Sequence, residues 1–178
     1  MKNNTKQFGI ITILIILATL SRLIEHPLNF VPISAMILFG AAHFKKKWQV
    51  FLVPFFATLI SDLFLSNGPF YFNFWIYGSY FLIMLFGIKL YNNKVSASNI
   101  ISGAIGSSLI FFIVSNFGVW MNPLYMKSLM ACYIDALPFY QNTLASNMFY
   151  SVILFGSYYG LQTKFQILQL NHIKYYSK

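Results

Sequence analysis

From Phe8 to Leu20 the chain is apolar except for Thr12 and Thr19, and five further runs of similar character follow. A run of this kind has few places to go. About 20 consecutive apolar residues match the ~30 Å hydrocarbon core of a bilayer, and water would reject so many of them on one small protein. The runs cover residues 8–24, 30–44, 48–65, 72–90, 100–121 and 143–161. In hydrocarbon every backbone N–H and C=O must be paired internally, which leaves helices or a closed barrel. A barrel strand alternates polar with apolar residues, and these runs do not. Only 8% of the residues are charged, against ~25% for an ordinary soluble domain. The expected fold is therefore an all-α integral membrane protein, a single transmembrane domain over residues 1–178 with six transmembrane helices.

The cations orient it. With the N-terminus inside, Lys2, Lys6, Lys45, Lys46, Lys47, Lys89, Lys94, Lys164, Lys174 and Lys178 fall on the cytoplasmic side. Arg22 and Lys127 fall outside, as do the three acids, Glu25, Asp62 and Asp135, at or near the outer ends. Every connection then obeys the positive-inside rule, giving an N-in/C-in chain. The net charge of +9 is read as this topology signal. Nucleic-acid binding would need a basic patch interleaved with stacking aromatics in a polar setting, so no nucleic-acid partner is expected. The basic start followed by an apolar stretch imitates a secretory signal, but no small-x-small site follows, so the first span is expected to be retained.

Two segments depart from the regular pattern. The second run has 15 residues, about 22 Å of helix, short for a full crossing. A re-entrant loop there would put Lys45–Lys47 outside and invert every later connection, so one short second helix is expected. The outer loop, 122–142, is long for a neutral connection. Its apolar part, 125–134, is suited to an interfacial helix or a lid.

Once oriented, the polar residues gather near the outer ends: Arg22, His26, Asn29, Asp62, Asn67, Asn116, Trp120, Asn142 and Asn147. Ionisable groups within spans are costly and normally face an interior or a water-filled cavity. An outward-opening pocket is the simplest way to bring them together. Arg22 and Asp62 fit an ion pair locking the first and third spans, a ligand contact, or both. His26 and Asn29 belong to a polar turn ahead of Pro32, which opens the second helix; the turn is either plain solvated loop or one wall of the pocket. In the fifth run, Ser102 with Gly106 and Gly103 with Ser107 are small residues four apart, suited to close helix packing within the chain or against a partner helix.

Enzyme signatures are poor, so no enzymatic activity is expected. His26, His43 and His172 are assigned to the outer, inner and inner sides and cannot share a metal. Cys132 has no evident histidine partner. No nucleotide-binding loop is present, and no cofactor is expected.

The segments RLIEHPLNFVPISAMILFGAAHF (22–44), SDLFL (61–65), SNFGVW (115–120) and CYIDALPFYQNTLASNMFYSVILFG (132–156) are similar to an uncharacterised family of small bacterial six-helix inner-membrane proteins labelled as transport proteins. More distantly the chain resembles the substrate-binding (S) components of energy-coupling factor transporters. The resemblance implies an S-component-like bundle, multi-pass in the bacterial inner membrane, that takes a small solute (vitamin-like molecule or ion) in an outward-facing pocket. Arg22, His26, Asn29, Asp62, Asn116, Trp120 and Asn142 match its motifs, with Asn147 standing where relatives typically carry an acid after N-T-L-x-G. The implied partners are the solute, membrane lipid, and either energising transporter subunits or another copy of the chain. The competing expectation is a structural scaffold of the cell-wall elongation type, which would not require polar residues from four spans at one level.

Overall fold

The computed structural model describes residues 2–65, 73–92, 95–124 and 126–164. Asn67, Lys94, His172, Lys174 and Lys178 lie outside the described residues, as do the first residue of the 72–90 run and the start of the 125–134 stretch. Among the described residues there are seven α-helices and no strand: α1 (Lys2–Leu20), α2 (Ile33–His43), α3 (Lys47–Leu65), α4 (Phe74–Leu90), α5 (Ala97–Trp120), α6 (Leu129–Asp135) and α7 (Leu137–Lys164). A 3-10 turn, Ser21–Leu23, closes α1. Three stretches are long and apolar enough to cross a membrane: Lys6–Leu23, Lys47–Phe64 and Ala97–Trp120. The helices α2 and α4, of 11 and 17 residues, are apolar but shorter.

The end-to-end contacts show how the long helices alternate. Arg22 after α1, Asp62 late in α3 and Tyr77 early in α4 join one network. Asn142 early in α7 bonds the Leu28 carbonyl ahead of α2, and Phe112 in the last half of α5 stacks near Tyr140 of α7. At the other end Gln7 of α1 donates to the Tyr158 hydroxyl of α7 at 3.1 Å. Successive helices α1 to α5, and then α7, thus run up and down in turn.

The bundle is organised around α2. Every residue from Ile33 to Gly40 is buried, and the helix touches α1, α3, α4, α5 and α7. A helix hydrophobic all round belongs in a core. Its shortness has the same origin. Eleven residues rise about 16 Å; the Pro27–Phe30 turn precedes the helix and extended chain at Phe44 follows it. Leu38 and Ala41 press on α4 where Gly87 leaves room, a Cβ there falling 3.1 and 3.0 Å from them. On the far side Phe39 meets Phe155 and Tyr158 of α7 edge-on, with ring centres 5.3 and 5.6 Å apart.

Of the paired small residues of α5, Ser102 is exposed while the other three pack within the chain. Gly103 and Ser107 are buried, and a Cβ on Gly106 would sit 2.5 Å from the Phe86 ring of α4. Helix ends are set by local chemistry. Asn73 accepts from the Trp75 and Ile76 amides and starts α4; Ser96 and Ser128 cap α5 and α6 in the same way. The helix α7 begins six residues before the run at 143–161, because Pro138 falls in its first turn, where its missing N–H costs nothing.

Candidate functional site

A cavity of about 410 Å³ opens at the end of the bundle where α5 finishes and α7 begins. Its wall comes from five places: Leu28 and Asn29 of the turn before α2, Asn73 and Ile76 at the start of α4, Phe111 to Val119 along α5, Cys132 and Asp135 of α6 with Ala136 that ends it, and Phe139 to Thr143 at the head of α7. The volume lies in the ~300–1,000 Å³ range of small-molecule sites.

Each wall is held by a specific local feature. The Phe30 amide bonds the Pro27 carbonyl at 3.0 Å, closing a tight turn. Asn29 sits third in it with φ 63°, a left-handed conformation that asparagine adopts at less cost than a branched residue. Asn142, one turn into α7, donates to the Leu28 carbonyl at 2.9 Å and fixes the turn against the bundle. Ser146 reaches the Val31 carbonyl at 3.1 Å from one turn deeper.

The opposite wall is α5 with α6 laid across it. Tyr133 donates to the Ile113 carbonyl at 2.7 Å, and the Cys132 thiol faces the Asn116 carbonyl at 3.5 Å. Burial, with the neighbouring Cys132, holds the Tyr133 phenol above its usual pKa. Within the cavity Asn116 donates to the Phe112 carbonyl at 2.8 Å and Ser115 to the Phe111 carbonyl at 2.6 Å. Asp135, at the rim, meets Lys127 at 2.5 Å, both side chains being more than half exposed. Ile76, Phe111, Phe112, Val119 and Phe139 supply apolar lining. Apolar lining interrupted by amides and hydroxyls can hold a small polar solute.

The eight residues singled out in the sequence are dispersed. Asn29 and Asn116 line the cavity, and Asn142 braces its rim. Arg22 and Asp62 lie in a neighbouring cluster instead. Arg22 bonds Asp62 at 2.6 Å, the Ser61 hydroxyl and the Thr58 carbonyl, while Tyr77 donates to the other Asp62 oxygen at 3.0 Å. That cluster ties α1, α3 and α4. His26 is exposed and bonded to the Pro27 carbonyl. Trp120 packs on Phe117 away from the cavity. Asn147 is fully buried further down, donating to Ser108 at 2.8 Å and Ser107 at 3.3 Å, with its carbonyl oxygen unpartnered.

Other wall residues were not singled out as site residues: Asn73, Ser115, Asp135 and Thr143. Asn73 carried a signal as a cap ahead of an apolar run. Ser115 carried one too, in the pair Ser115-Asn116, where two polar residues interrupt a span. Among the described residues, no three His, Cys, Asp or Glu side chains gather as metal ligands.

Three span-length apolar helices and a polar-lipped cavity at one end define the class: a small helical-bundle protein compatible with a membrane location. The chain belongs to a family of unknown function, DUF6580, whose model matches residues 2–169. No curated protein and no solved structure matches it.

Proposed function

We propose that the protein crosses the bacterial inner membrane six times, with both termini cytoplasmic, and captures a small solute in the cavity between the Asn29 turn, α5 and the head of α7. In this reading it is a solute-capture component of S-component type, and energy comes from a partner or a second copy, because the chain has no nucleotide-binding loop. The observation that carries the reading is the cavity itself. Five separate segments converge on it, and its lining mixes polar and apolar groups in a volume suited to one small molecule. The alternating direction of six helices supports the crossing number, and the buried α2 accounts for one crossing too short to meet lipid.

Native mass spectrometry of the purified protein tests this. Wild type should retain a small molecule, and Asn116→Leu should lose it while still inserting and folding. Equal retention by both proteins would remove the cavity from the mechanism. Co-purification of wall-synthesis proteins with no solute at all would favour a scaffold instead.

A further inference from the structure

The end of the bundle opposite the Asn116 cavity is basic. The chain has three acidic residues, and all lie toward the other end: Glu25 follows the close of α1, Asp62 is late in α3 and Asp135 ends α6. Lys6 near the start of α1, Lys45 to Lys47 around the α2–α3 connection and Lys89 near the end of α4 are all exposed.

Two of these lysines border a pocket of about 120 Å³ set between α1, the end of α2 and the first turn of α3. Lys45, Lys46 and Gln49 form its polar side, and Phe8 and Ile11 of α1 form an apolar side. Gln7 and His43 complete the lining, and both are engaged within the bundle: Gln7 donates to the Tyr158 hydroxyl at 3.1 Å and His43 Nδ1 to the Phe39 carbonyl at 2.9 Å. The two lysines are held in place by their backbone. Only Phe44, Lys45 and Lys46 join α2 to α3. The Phe44 ring packs 5.6 Å from that of Phe8, and the Gln49 amide bonds the Lys46 carbonyl at 3.0 Å.

We infer that this pocket takes the anionic phosphate of a membrane phospholipid, with Lys45, Lys46 and the Gln49 side-chain amide around the phosphate oxygens. Charge sets the class, since two ammonium groups and an amide are all donors and no acidic side chain lines the pocket. Size limits what enters. The volume is well below the ~300 Å³ of a site for a whole small molecule, yet several times the ~30 Å³ of one water, which suits a compact ionic group. The apolar side favours a lipid over a free anion. Farther along the two helices that flank the pocket, Ile13 and Leu17 of α1 are 58% and 57% exposed, and Leu52 and Phe56 of α3 are 36% and 51% exposed. Each pair is four residues apart, so each helix offers an apolar ridge on which acyl chains lie. Basic pockets between spanning helices hold anionic headgroups in this way. The inference rests on the chain crossing a membrane and is independent of the solute cavity.

The test titrates delipidated, detergent-solubilised protein with palmitoyl-oleoyl phosphatidylglycerol at about 0.15 M salt and reads bound lipid by native mass spectrometry. One equivalent should bind wild type about 10-fold or more tighter than phosphatidylcholine with the same chains. Lys45→Gln and Lys46→Gln should each weaken the phosphatidylglycerol complex about 5-fold, and the double variant about 25-fold. Lys47→Gln and Lys89→Gln remove charges from the same end but outside the pocket, and should change binding less than about 2-fold, because salt screens exposed charges at a distance. All four positions are exposed, so the variants should unfold at the wild-type temperature. Asn116→Leu should bind the lipid as wild type does, so that failure of the solute cavity and failure of this site are read separately. Equal losses in all four lysine variants would mean diffuse attraction to a basic surface and would overturn the pocket. Equal binding of phosphatidylcholine would overturn it too, as would displacement of the lipid by an equal concentration of inorganic phosphate, which would make the occupant a free anion.

Discussion

Arg22 is 11% exposed at its side chain and Asp62 27%, so their attraction is only partly screened and their partners matter. Breaking such a pair from one side leaves a charge without compensation, whereas replacing both members by apolar groups is often nearly neutral. Asp62→Ala is therefore expected to destabilise the fold by about 1–3 kcal/mol, toward the low end of a buried pair's range because Asp62 retains some solvent. The double variant Arg22→Met/Asp62→Leu should recover most of that loss, as thermal unfolding in detergent would show. A double variant worse than the single one would mean that Arg22 and Asp62 act separately. The residue types and their placement near helix ends were legible in the sequence. That they face Ser61 and Tyr77 instead of the cavity was not, since it depends on how α1 and α3 are rotated about their own axes.

At the scale of elements, the bundle depends on how closely α4 approaches α5. The Phe86 ring occupies the space a side chain on Gly106 would need, and the stacked rings of Tyr80 and Phe111, 5.7 Å apart, continue the same interface. Gly106→Leu should lower stability by about 1–3 kcal/mol through overpacking. The same substitution at Gly156, with open space before its Cβ, should change stability far less, and unfolding curves of the two variants compare them directly. The apolar runs announced the helices and their order. Boundaries moved where caps and prolines intervened: α7 starts at Leu137, well ahead of its apolar run, and the connection after α5 contains α6 from Leu129 to Asp135. The role of α2 was hidden, because a short apolar run reads the same whether lipid or protein surrounds it.

For the whole molecule, the six-span reading predicts which residues a membrane-impermeant thiol reagent can reach. In a Cys132→Ser background, cysteine at Met126, 94% exposed in the loop before α6, should label in intact cells. Cysteine at Lys46, exposed between α2 and α3, should label only after the inner membrane is opened. The reverse pattern would invert the chain and put the Asn116 cavity on the cytoplasmic face.

What the sequence determined alone was the apolar, helical character of the chain and the order of its helices. Long apolar runs separated by lysine-bearing breaks carry that information in one dimension, because hydropathy and charge are summed along the chain. Which polar side chains share a cavity was decided only by tertiary structure. Asn116 and Asn147 look alike as amides in apolar runs, yet one lines the cavity and the other is sealed against Ser107 and Ser108. The difference is one of helix rotation and depth. Both are set by how side chains of different helices interlock, with Gly87 and Gly106 admitting neighbours where a larger residue would not.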